Sequence, residues 1–181
     1  MYVAAMPGAY VTPRTPLVAL CKEVNDDTIK RIQAEFTIED ERAFEQDPRF
    51  GVCVLAEIAQ RALPPAINDS GTVLDVLGRL VAVLSEYAET EREAIKCKRI
   101  WVPPLSVRDL FHDAFDEISR DSANLMSVQV RFHKCLRHLH ELENDEFKKY
   151  SRRFSQQAVR RSDASCLMDA EKEVLRKLAI R

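Results

Sequence analysis

The stretch Ala123-Asn124-Leu125-Met126-Ser127-Val128-Gln129-Val130-Arg131-Phe132-His133-Lys134-Cys135-Leu136-Arg137-His138-Leu139-His140-Glu141-Leu142-Glu143 decides the fold. Its residues Leu125, Val128, Phe132, Cys135, Leu139 and Leu142 alternate spacings of three and four. That rhythm keeps one stripe of a helix apolar along its whole length, a heptad seam suited to antiparallel packing in a bundle. Such a helix needs partners, and the flanking sequence supplies them. Upstream, Ser106 is an N-cap with Asp109 in the first turn, and Val107, Leu110, Phe111, Ala114, Phe115 and Ile118 form one apolar face. Downstream come a helix on Phe147, Tyr150 and Phe154 and, after a polar break at Ser162-Asp163, a last one on Leu167, Val174, Leu175 and Leu178.

Further towards the N-terminus, Val73, Leu77, Leu80, Val81, Leu84 and Tyr87 recur at helical spacing. Before them, Pro48 opens a helix whose stripe is Val54, Leu55, Ile58, Ala59 and Ala62, and Leu63-Pro64-Pro65 stops it. Asn25-Asp26-Asp27 caps a helix on Ile29, Ile32 and Phe36, and the acidic run Thr37 to Asp47 reads as another short helix. The opening residues are rich in Val, Tyr, Thr and Pro. They read as short strands at Tyr2 to Ala5, Ala9 to Thr12 and Leu17 to Cys21, with a turn at Pro7-Gly8. Arg99 to Val102 reads as a further extended piece. The expected fold is mainly α: six to seven helices in a bundle or orthogonal array with a small N-terminal β element. Residues 1–24 form that element and residues 25–181 the helical domain, joined as one compact unit.

Composition agrees with this outline. The 181 residues suit one domain; 46% are hydrophobic and 31% charged, enough apolar material for a core and too mixed for a disordered chain. Four glycines and 7% aromatics lean away from a β-sandwich. A net charge of −2 argues against nucleic acid as a partner. The five cysteines are odd in number and widely spaced, as reduced structural thiols would be. The charge-free opening from Met1 to Pro13 is too short and too broken to span a bilayer, so this stretch is expected to be soluble.

Candidate chemistry is sparse. His133, His138 and His140 share one helix, but spacings of five and two put neither neighbouring pair on a common face, so no metal site is expected. No nucleophile motif, glycine-rich phosphate cradle or cofactor signature occurs. Two features stand out. The loop Pro65 to Thr72 gathers Asn68, Asp69 and Thr72 after Arg61. Capping of the next helix is the plainer role for these residues, and a ligand pocket of Arg61, Asn68, Asp69 and Thr72 is the alternative. Lys148, Lys149, Arg152 and Arg153 form two i,i+4 pairs on one helix face, followed by Arg160 and Arg161. This is either a solvated face or one that lies against an anionic membrane leaflet.

Arg42, Gln46-Asp47-Pro48, Phe50-Gly51, Leu55, Ile58-Ala59 and Arg61-Ala62-Leu63, leading into Pro65-Ala66-Ile67-Asn68-Asp69, form a run with a family likeness. So do Asp109-Leu110 through Ala114-Phe115-Asp116-Glu117-Ile118, and Pro7-Gly8 to Val11 with Thr15-Pro16-Leu17. Together they resemble a domain-of-unknown-function family, number twenty-two fifty-four, of predicted bacterial integral membrane proteins. The resemblance implies that this chain corresponds to the soluble C-terminal part of a protein whose transmembrane helices lie outside it, on the cytoplasmic side of the inner membrane. It implies a cytoplasmic accessory, interaction or regulatory domain. The expected partners are the transmembrane half, another protein or a second copy, with peripheral contact to the membrane surface. A small-molecule sensor built on the 65–72 loop is the second reading. A hydrolase using Asp69 or a histidine is the third.

Overall fold

The computed structural model describes residues 1–90 and 95–181. In chain order these form β1 (Tyr2–Val3), β2 (Val18–Ala19), α1 (Asp26–Ala34), α2 (Pro48–Ala62), α3 (Ser70–Glu89), α4 (Val107–Asp121), α5 (Met126–Glu141), α6 (Asp145–Asp163) and α7 (Asp169–Leu178). The expected class holds: helices packed on one another, with a small antiparallel sheet at the front. The chain divides into two compact units, residues 1–50 with 93–105 and residues 51–92 with 106–181.

In the second unit, α5 and α6 pack on each other and together form the middle of the bundle: α5 also packs on α3 and α7, and α6 on α4 and α7. The seam residues Val128, Phe132, Cys135 and Leu139 are buried, as their spacing predicts. Three neighbours cover more of α5 than a two-helix seam would, so Leu136, Gln129 and His133 are buried as well. Around Phe132 the core is aromatic: Phe111, Phe115, Phe147 and Phe154 are fully buried, and Phe111 meets Phe147 edge-on at 5.3 Å. Truncating such a ring to Ala typically costs about 3–5 kcal/mol. The α4 face is buried as read, from Val107 to Ile118.

Other readings need correction. On α2 the buried positions are Val52, Ala56, Ala59 and Ala62, whereas Val54 and Leu55 are half-buried and Ile58 is exposed. The apolar residues of α2 surround most of the helix, so spacing alone does not pick the inner face, and the covered one is the face of Val52 and the alanines. The acidic run Thr37 to Asp47 is not helical. Its adjoining carboxylates bring repulsion and no apolar stripe to bury. The Ala9 to Thr12 strand is absent, for after the Pro7-Gly8 turn these residues run as irregular chain.

The first unit is small. β1 and β2 pair antiparallel, Tyr2 opposite Ala19 and Val3 opposite Val18, and Tyr2 bridges in parallel to Trp101 on the other side. Among its described residues Asp47 alone is buried.

Candidate functional site

The 65–72 loop is built by helix ends. Pro64 and Pro65 end the stretch that follows α2, and the amides of Ile67 and Asn68 turn back to the Pro64 carbonyl, each at 2.9 Å. Asn68 sits in the left-handed region at φ 48°, a conformation Asn tolerates better than most residues. Its neighbour's amide, Asp69 N, donates to the Ala62 carbonyl at 2.9 Å. Asp69 is the N-cap of α3: one carboxylate oxygen accepts from Thr72 N at 3.1 Å, the other from the Thr72 hydroxyl at 2.5 Å. Those bonds stabilise the anion and hold the carboxyl below its ordinary range. Asp69 and Thr72 are therefore brought together and engaged with each other. Arg61 pairs one turn back with Glu57 at 3.5 Å, on the exposed side of α2.

The basic residues of α6 separate into two sets. Arg161 is drawn to α4, where it donates to the Asp116 carbonyl at 2.7 Å and the Asp116 carboxylate at 2.8 Å, with Gln157 on the same oxygen at 3.2 Å. Lys149, Arg152 and Arg153 are exposed, and Lys148 is half-buried. Lys149 lies 5.4 Å from the Tyr150 ring centre.

A third cluster was not singled out as a site from sequence. Buried Asp47 takes Arg42 Nε at 2.7 Å and Nη2 at 2.6 Å on one oxygen, while its other oxygen accepts from Phe50 N at 3.2 Å and so caps α2. The Arg42 guanidinium lies 5.0 Å from the Phe50 ring centre, and Phe44 stacks on the same ring. Gly8, at φ 78°, passes so close that any side-chain carbon there would collide with the Asp47 carboxylate. Two of the stretches that carry the family likeness, Pro7-Gly8 and Gln46 to Phe50, thus meet at one ion pair. The local signal was Asp-Pro, a capping residue directly before a first-turn proline.

Within the second unit, His133 Nδ1 lies 3.0 Å from the Ser155 hydroxyl, which also accepts from Ile180 N at 3.0 Å. Burial, with Arg137 nearby, lowers the His133 pKa to about 4, so the ring is neutral at pH 7. Serine and histidine adjoin here as in a nucleophile–base pair. Both are closed from solvent, so the contact ties α5, α6 and the C-terminal segment together. All five cysteines are free, and burial pushes the Cys135 thiol up. Among the described residues, no group of three or more His, Cys, Asp or Glu side chains could hold a metal ion.

The architecture is that of a mainly helical protein with a small, coreless sheet unit, and among its described residues no helix is long and apolar enough to cross a membrane. The chain belongs to the family described as predicted membrane protein (DUF2254), which matches residues 1–138. It is 35% identical over 86 residues to the uncharacterized protein Mb1321c of Mycobacterium bovis, a match covering 44% of this chain and 16% of that relative. The uncharacterized protein Rv1290c of Mycobacterium tuberculosis matches to the same extent, 35% over 86 residues and 16% of its length. The matched stretch is therefore a small part of these longer relatives. No solved structure matches the chain.

Proposed function

We propose that this chain is an extramembranous interaction domain of a membrane protein and that its first unit is the contact surface. One observation carries the reading: among the described residues of that unit only Asp47 is buried, while Tyr10, Ile38 and Phe44 stand in solvent at 93%, 67% and 60% exposure. A unit that leaves so much apolar side chain uncovered gains stability when something covers it. Membership of a predicted membrane protein family supplies the setting. The exposed α6 cations Lys149, Arg152 and Arg153 support peripheral contact with acidic headgroups as a secondary element of the same role. The test uses a longer relative such as Rv1290c, purified in detergent with and without the segment equivalent to residues 1–50. Loss of its native oligomeric state or of co-purifying partners is the expected result. An assembly unchanged by the deletion defeats the reading.

A further inference from the structure

The first unit is electrically divided. Met1 to Lys22 contains no acidic residue, and in the segment 93–105 Glu93 is followed by none from Ile95 to Leu105. Between them, Glu23 to Asp47 holds all nine Asp and Glu residues of residues 1–50. The two acid-free segments are joined in space: Val3 N donates to the Trp101 carbonyl and Trp101 N to the Met1 carbonyl, each at 2.9 Å. Their cations are Arg14, Lys22, Lys96, Lys98 and Arg99. At the junction Tyr2 and Trp101 stack, with ring centres 4.5 Å apart and planes 12° from parallel. Both rings remain open to solvent, Tyr2 at 43% and Trp101 at 50%, and Ile100 and Val102 flank them at 41% and 49%.

The stacked Trp–Tyr pair and two β-branched side chains stand half in water beside two described segments, Met1 to Lys22 and Ile95 to Leu105, whose charged side chains are all cations. An anionic bilayer interface matches each part. The amphipathic rings of Trp and Tyr settle at headgroup depth, aliphatic neighbours enter the acyl boundary, and the cations meet lipid phosphate. A protein partner would have to be both acidic and apolar over the same small area. We propose that the surface formed by Tyr2, Lys98, Arg99, Ile100, Trp101 and Val102 docks on anionic phospholipid. The proposal rests on the reading of the first unit as a contact surface and names what that surface meets.

Trp101 is the only tryptophan of the chain, so it reports on its own surroundings. The whole chain is titrated with phosphatidylglycerol vesicles and with phosphatidylcholine vesicles while its fluorescence is followed. The expected result is a blue shift with the anionic vesicles and quenching by lipids brominated near the headgroup. Phosphatidylcholine or high salt should weaken both. Lys98→Gln with Arg99→Gln, which removes two surface cations, lowers the vesicle affinity about thirty-fold. Ile100→Ser with Val102→Ser reduces the blue shift at lipid saturation. All four positions are exposed, and circular dichroism confirms that each variant is folded. Unchanged emission at saturating anionic lipid overturns the proposal. Co-sedimentation with vesicles at unchanged emission also overturns it, since contact would then lie on another face such as α6. A blue shift that grows with protein concentration in lipid-free buffer overturns it in favour of a second copy. If the lipid test fails while the deletion test alters assembly, the contact surface stands with a protein as its partner.

Discussion

His133 sits between α5 and α6 as a neutral imidazole, its Nδ1 against Ser155. The unfolded chain takes up a proton on this residue near pH 6.5, whereas the folded chain resists until about pH 4. Over that window the unfolded state binds more protons, so the contribution to stability is constant above pH 6.5 and falls as the pH drops towards 4. For these two values the loss at pH 5 is about 2 kcal/mol. Urea unfolding at pH 7 and pH 5 measures it, and His133→Gln should remove this part of the difference. A variant with the full wild-type pH dependence would show that His133 is not the responsible group. The residue could be placed on α5 from its sequence position but not inside. Period alone put Phe132 and Cys135 on the seam, and His133 became buried because α6 brings Ser155 to meet it. The same holds for Asp47, an exposed capping residue by local rule, buried here because Arg42 and the Gly8 turn close over it.

Among the elements, α3 offers the sharpest discrimination between capping bonds and charge at its start. Ser, Asn and Asp cap about equally well and Ala does not. Asp69→Ala should therefore lower the melting temperature, and Asp69→Asn and Asp69→Ser should restore most of it. Equal losses in all three variants would show that the negative charge at the start of α3, and not the capping bonds alone, carries the stability. The caps at Asn25, Asp69 and Ser106 were all legible because each is a local event of four residues. The α4 face was legible because large apolar residues recur with one period and nothing competes. On α2 two apolar faces compete, one of alanines and one of larger residues, and only the neighbours choose between them. The 37–47 run was misread because acidic composition resembles a helix start, although no stripe follows it.

At the scale of the whole molecule, the two units should differ in local stability. The second holds a closed aromatic and aliphatic core, and the first buries no apolar side chain among its described residues. Amides with few buried contacts around them open by small local fluctuations. Hydrogen exchange of the chain alone should therefore find β1, β2 and α1 protected at least about a hundredfold less than α5. Equal protection would contradict a coreless first unit. By itself the sequence determined the helices, most of their ends and the apolar seam of α5, because caps, prolines and heptad spacing act over a few residues. It also carried the family likeness, in motifs that can be read without coordinates. Tertiary structure alone decided which face of α2 turns inward and that His133 is neutral. It also decided that Pro7-Gly8 closes on Asp47 and that Tyr2 stacks on Trp101. Each of these joins residues distant along the chain, and whether such partners meet depends on packing that no local pattern encodes.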